Sequence, residues 1–178
     1  MRQIDIGLDS LQKKQAPMCS LSGTRLPGRY GAAVRQFSNT ISGKGEIKYA
    51  QLIARYTDAQ GAATAYEVLR KAARSCPPKR HVPPKRLNEN FTLFEHDDTW
   101  KVTEGNLAGW AHLRGFEQHV EPPSQTKFNV YYFIYDYAHR GNVVTATLYW
   151  ERTEPKKSGD PIAQRATELL TRQLQKIG

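Results

Sequence analysis

The chain is poor in cysteine, in acidic residues and in long apolar runs. Its 178 residues include two cysteines, Cys19 and Cys76. Two sulfurs this far apart exclude a cysteine-rich zinc site, which needs paired ligands at short spacing. No apolar stretch approaches the roughly 18 residues of a membrane-spanning helix. The opening Met1-Arg2-Gln3-Ile4-Asp5-Ile6-Gly7 lacks the hydrophobic segment of a secretory signal. Seventeen Asp and Glu face 26 Lys and Arg, for a net charge of +9. Catalytic signatures are absent as well: there is no His-Glu-x-x-His, no Gly-x-Ser-x-Gly and no phosphate loop. No catalytic residue, metal ligand or cofactor is therefore assigned. His81, His96, His112, His119 and His139 are scattered, and His96-Asp97-Asp98 reads as a polar turn, because consecutive strand-end residues rarely converge on one ion.

What is present argues for an ordered domain. Nine Tyr, six Phe and three Trp sit mostly in patterned stretches, which excludes wholesale disorder. Ile4, Leu8 and Leu11 at helical spacing predict a short helix over residues 4–14. Turn formers follow over 16–30, then a strand over 32–37 and, after Gly43 and Gly45, another from Ile47 to Tyr56. Asp58 is positioned as an N-cap for a helix whose stripe of Ala62, Tyr66, Leu69, Ala72, Ala73 and Cys76 faces inward, and Pro77-Pro78 stops it.

The pattern then turns to strands: 91–96, 99–104 and 109–117, with the strongest β signal over 128–137 and 142–151. Both faces of 128–137 are apolar or aromatic, so that strand is expected to be central and covered on both sides. Ser158-Gly159-Asp160-Pro161 opens a last amphipathic helix with Ile162, Ala166, Leu169, Leu170, Leu174 and Ile177 on one stripe. The expected architecture is a single α+β domain over 15–178: a mainly antiparallel sheet flanked by two principal helices, about 58–76 and 160–177. Residues 1–14 stand before it as a short helix or juxtamembrane segment.

Two surface features carry functional expectations. A Pro-Pro-Lys-Arg unit occurs twice after Cys76, and its prolines are expected to hold Lys79, Arg80, Lys85 and Arg86 on a stiff extended arm suited to an anionic surface or polymer. The bland alternative is a solvated connector. No ribonucleoprotein, helix-turn-helix or zinc-finger signature accompanies the charge, which argues against nucleic acid as partner. Trp110, His112 and Arg114 alternate on one strand and so share a face; with Tyr131 and Tyr135 they are expected to line an aromatic, polar cleft for a small, possibly anionic, ligand. The cysteines leave two readings, separate buried thiols or one bridge closing a loop of about 58 residues, which the chain-entropy model values at about 4 kcal/mol in an oxidising compartment.

The order of strand Ile47 to Tyr56, helix closed by Cys76, β meander, Arg140-Gly141-Asn142-Val143-Val144 and final helix with Ile162-Ala163 resembles the PknH-like extracellular sensor domain family. That family occurs on actinobacterial receptor kinases and sensor-domain lipoproteins. The resemblance implies an extracytoplasmic, non-catalytic domain with a ligand cleft and structural disulfides, hence a Cys19–Cys76 bridge, with any membrane anchor lying outside this chain. It leaves the ligand of that cleft unidentified; the expected partner is a small ligand there or, through the basic arm, an anionic cell-envelope component. Two departures stand out: Ala72-Ala73-Arg74-Ser75 carries no Trp before the helix-end Cys, and a second disulfide has no cysteines to form it. A cytosolic basic adaptor or nucleic-acid-binding protein using the Pro-Pro-Lys-Arg loop is the alternative.

Overall fold

The structure is a computed structural model that describes residues 2–4, 26, 28–39, 47–123 and 128–178. Among these, ten strands and two helices follow in the order β1 (Arg2–Ile4), β2 (Arg29–Asn39), β3 (Ile47–Tyr56), α1 (Ala59–Ser75), β4 (Lys79–Val82), β5 (Lys85–Asn88), β6 (Phe91–Leu93), β7 (His96–Leu107), β8 (Trp110–Val120), β9 (Val130–Arg140), β10 (Val143–Thr153) and α2 (Asp160–Ile177). Eight strands form one sheet in the order β1-β2-β3-β10-β9-β8-β7-β4, while β5 and β6 make a separate hairpin. Every pairing is antiparallel. The expected α+β class holds, and β9 lies inside the sheet with a helix on each face.

Strand alternation explains the two faces. Tyr135 and Tyr137 of β9, Leu113 of β8, Val144 and Trp150 of β10 and Ala54 and Tyr56 of β3 pack under α1 with Ala62, Ala65, Tyr66, Leu69 and Ala73. The intervening residues Tyr132, Ile134 and Ala138, with Trp110, Tyr49 and Val130, meet Ile162, Ala166, Leu170 and Leu174 of α2 on the opposite face. A fully buried Leu such as Leu170 contributes about 1.5–3 kcal/mol. Asp58 caps α1 as its spacing predicts, its Oδ1 accepting from the Gly61 N–H at 2.7 Å. The β9–β10 hairpin turns on Gly141-Asn142, with Gly141 at φ +55°. That turn is tied to β3, because Asn142 Nδ2 donates to the Tyr56 carbonyl and the Tyr56 N–H donates to the Asn142 carbonyl.

Three expectations change. Arg2–Ile4 is a strand paired with β2 rather than the start of a helix, and the rest of 4–14 lies outside the described residues. The strands expected at 91–96 and 99–104 are instead the short β6 and one 12-residue strand, β7. The Pro-Pro-Lys-Arg stretch is not a free extended arm: each copy supplies a strand, β4 on the edge of the main sheet and β5 in the hairpin. Only the prolines lack ladder donors, so the residues after each pair remain able to join a sheet.

Candidate functional site

The polar chemistry of the fold gathers where β4, β7 and β8 lie side by side beyond the end of α1. The β7–β8 turn, Ala108-Gly109 with both residues at positive φ, fixes a register in which Asp98 stands opposite His119; the β4–β7 pairing places Arg80 on the other side of Asp98. Asp98 is 1% exposed. Its Oδ1 accepts from His119 Nδ1 at 2.7 Å and its Oδ2 accepts from Arg80 Nη2 at 2.8 Å. Burial pushes the Asp98 carboxyl upward, but the hydrogen bonds from His119 and Arg80 outweigh it and hold the group below its ordinary value.

Around this carboxylate two histidine rings meet at a tilt of 37°. The rings of His96 and His119 are 4.2 Å apart between centroids, and Tyr131 meets His119 edge-on at 5.2 Å. His96, 5% exposed, donates from Nδ1 to the Phe94 carbonyl at 2.8 Å, since a carbonyl only accepts. Its Nε2 is thereby aimed at Asp98 Oδ2, 3.6 Å away. His119 Nε2 in turn faces Glu121 Oε1 at 3.6 Å, and the Tyr131 hydroxyl donates to Glu121 Oε2 at 3.3 Å. One side-chain donor atom from each of His96, Asp98 and His119 lies within 4.8 Å of the other two.

A second buried carboxylate lies on the opposite face. Asp136, fully buried, accepts from His112 Nε2 at 2.7 Å and from Arg114 through Nε at 2.7 Å and Nη2 at 2.9 Å. Arg114 also donates to the Ala163 carbonyl at 3.3 Å, tying β8 to α2. These contacts overcome burial and lower the Asp136 pKa. Beside α1 runs a groove of about 320 Å³ lined by Tyr66, Glu67, Arg70, Glu104, His112 and His139 among others. Glu104 there accepts from both Arg70, at 2.7 Å, and Arg74, at 2.7 Å.

The residues expected to form one cleft are divided by the sheet. Trp110, His112 and Arg114 do share a face, the one under α2, whereas Tyr131 and Tyr135 project to the α1 face. Trp110 and Tyr135 are each 2% exposed, so both rings serve the core and neither is open to a ligand; the Trp110 Nε1 and the Tyr135 hydroxyl have no hydrogen-bond partner among the described residues. Arg114 and His112 are spent on Asp136. Of the four arm cations, Arg80 holds Asp98 and Arg86 reaches the carbonyls of Asn88 and Glu89, while Lys79 and Lys85 are exposed. Cys76 caps α1 and packs at the edge of its core; Cys19 lies outside the described residues. The sequence pattern does not pair His119 with Asp98, because His96-Asp97-Asp98 reads as a turn and the two strands read as ending at 104 and 117, short of the observed ladder. The signal was Gly109: counting back from a two-residue turn at Ala108-Gly109 sets Asp98 across from His119.

No protein-family profile matches the chain, and no curated protein does. Among solved structures, the fold is similar to the extracellular domain of PknH from Mycobacterium tuberculosis, with a TM-score of 0.50 and 10% identity over 80% of this chain. This chain covers 64% of that domain. A second match is PA94 from Pseudomonas aeruginosa, a protein of unknown function, at a TM-score of 0.37 and 16% identity over 76% of this chain and 80% of that one. No helix among the described residues is long and apolar enough to cross a membrane.

Proposed function

We propose that this chain is a non-catalytic, extracytoplasmic sensor domain of a secreted protein or lipoprotein that binds a small, polar or anionic ligand. The observation that carries the reading is the likeness of fold to the PknH extracellular domain across four-fifths of the chain. The groove beside α1 supports it, because its lining joins the Tyr66 ring and His139 to Arg70, which is itself paired with Glu67 and Glu104, so that groups of both signs and an aromatic wall face a polar small molecule. A Cys19–Cys76 bridge belongs to the same reading: among the described residues there is no free cysteine, and such a bridge anchors the segment before β2 to the end of α1.

Non-reducing peptide mapping of exported protein is expected to recover Cys19 and Cys76 in one linked fragment; two free thiols would overturn the extracytoplasmic reading. For the ligand, inorganic phosphate and small dicarboxylates serve as probes in a chemical-shift titration. Resonances of Arg70 and His139 are expected to move together and saturate. Probes that leave both unmoved would remove the groove as the ligand site. A nucleic-acid partner has weaker support, since Arg80 and Arg86 are already engaged within the protein.

A further inference from the structure

We propose that His96, Asp98 and His119 form a binding site for a divalent first-row transition-metal ion of the Zn²⁺ type. The site lies apart from the groove beside α1 and does not depend on the compartment proposed above. Its donors come from adjacent strands β7 and β8, so the ladder rather than a loop sets their spacing. A tetrahedral ion with bonds of about 2.0–2.2 Å needs ligand atoms ~3.4 Å apart. Three donors within 4.8 Å of one another close on such an ion by small side-chain rotations.

The second observation is the aim of His96. With Nδ1–H given to the Phe94 carbonyl, Nε2 is the ring atom left to face the Asp98 carboxylate, at 3.6 Å, and it is the atom that would bind an ion. At 3.6 Å the two atoms make no hydrogen bond, and they stand at about the separation of two ligands on one ion. A backbone carbonyl fixing the far nitrogen is also the arrangement that orients metal-bound histidines generally. Two imidazoles with one carboxylate suit zinc and its neighbours and are a poor match for Ca²⁺ or Mg²⁺, which take oxygen ligands. Access is from the side of His119 and Glu121, which keep 16% and 17% of their side chains exposed, and Glu121 adds a second carboxylate there. Without metal, the Arg80 guanidinium and the His119 N–H donor satisfy Asp98; when the ion enters, it replaces the Nδ1 proton of His119, which leaves to Nε2 on the Glu121 side or to solvent, and Arg80, on the edge strand, stays on Oδ2.

The test is calorimetric titration of untagged, chelator-treated protein with Zn²⁺ alone, alongside the visible absorption of the Co²⁺ complex. One equivalent is expected to bind, with intense bands from a four-coordinate Co²⁺ site. His119→Gln and His96→Gln should each weaken Zn²⁺ binding by about tenfold or more, at least the loss seen when supporting contacts of metal sites are removed. His81→Gln and His139→Gln should bind like the parent protein. Absence of saturable binding, unchanged affinity in His119→Gln, or loss in His81→Gln alone would overturn the proposal. His96 is buried; if its variant fails to fold by circular dichroism, the part-exposed His119 and the Co²⁺ spectrum of the unaltered chain decide the question.

Discussion

Gly115 is the residue whose side chain the fold can least accept. A Cβ placed there would come within 2.0 Å of the Trp100 indole, which lies across β8 and donates from Nε1 to the Ala73 carbonyl at 2.9 Å. Small residues at Ala72 and Ala73 leave room for that ring at the last turn of α1. Gly115→Ala is expected to destabilise by about 1–3 kcal/mol through overpacking, read as a lower urea midpoint. Asp136 gives the second prediction at this scale. Its folded pKa is depressed, so its contribution to stability is present above the unfolded carboxylate value and is lost as pH falls through the folded value. Asp136→Asn is expected to cost about 3 kcal/mol at neutral pH, since it leaves Arg114 and His112 partly buried without their counter-charge. The variant's stability should also fall less steeply than the parent's below about pH 4, as pH-dependent chemical denaturation would record.

Among the elements, α1 and α2 begin differently. Asp58 closes the first turn of α1 through its side chain, whereas α2 has Gly159 at its N-cap with no side-chain bond and relies on Pro161 and on Ser158, whose hydroxyl accepts from the Asp160 N–H at 3.1 Å. Asp58→Ala is therefore expected to lower stability by about 1 kcal/mol, with α1 amides next to Gly61 exchanging faster in hydrogen-exchange measurements. Strand β9 was legible because its aromatics occupy both alternating sets, which only a strand covered on both faces tolerates. Strands β4 and β5 were not legible, because Pro-Pro and a run of cations resemble a solvated arm until a neighbouring edge offers hydrogen bonds. Arg80 is useful on β4 only because Asp98 arrives beside it.

The whole molecule explains why the excess of positive charge is a poor guide to partner. Part of it is neutralised internally, by Asp98, Asp136, Glu104 and Glu151, each of which meets at least one arginine. The sequence by itself determined the helices, the central strands, the N-cap of α1 and the α+β order, because periodicity and capping are local and each reports on one element's own surroundings. Tertiary structure alone decided that Trp110, His112 and Arg114 lie across the sheet from Tyr131 and Tyr135, and that His96, Asp98 and His119 meet. Sharing a face depends on where strands end and turn, and a single misplaced turn changes every partner in the ladder, so side chains 21 residues apart, Asp98 and His119, become neighbours only once the β7–β8 register is set.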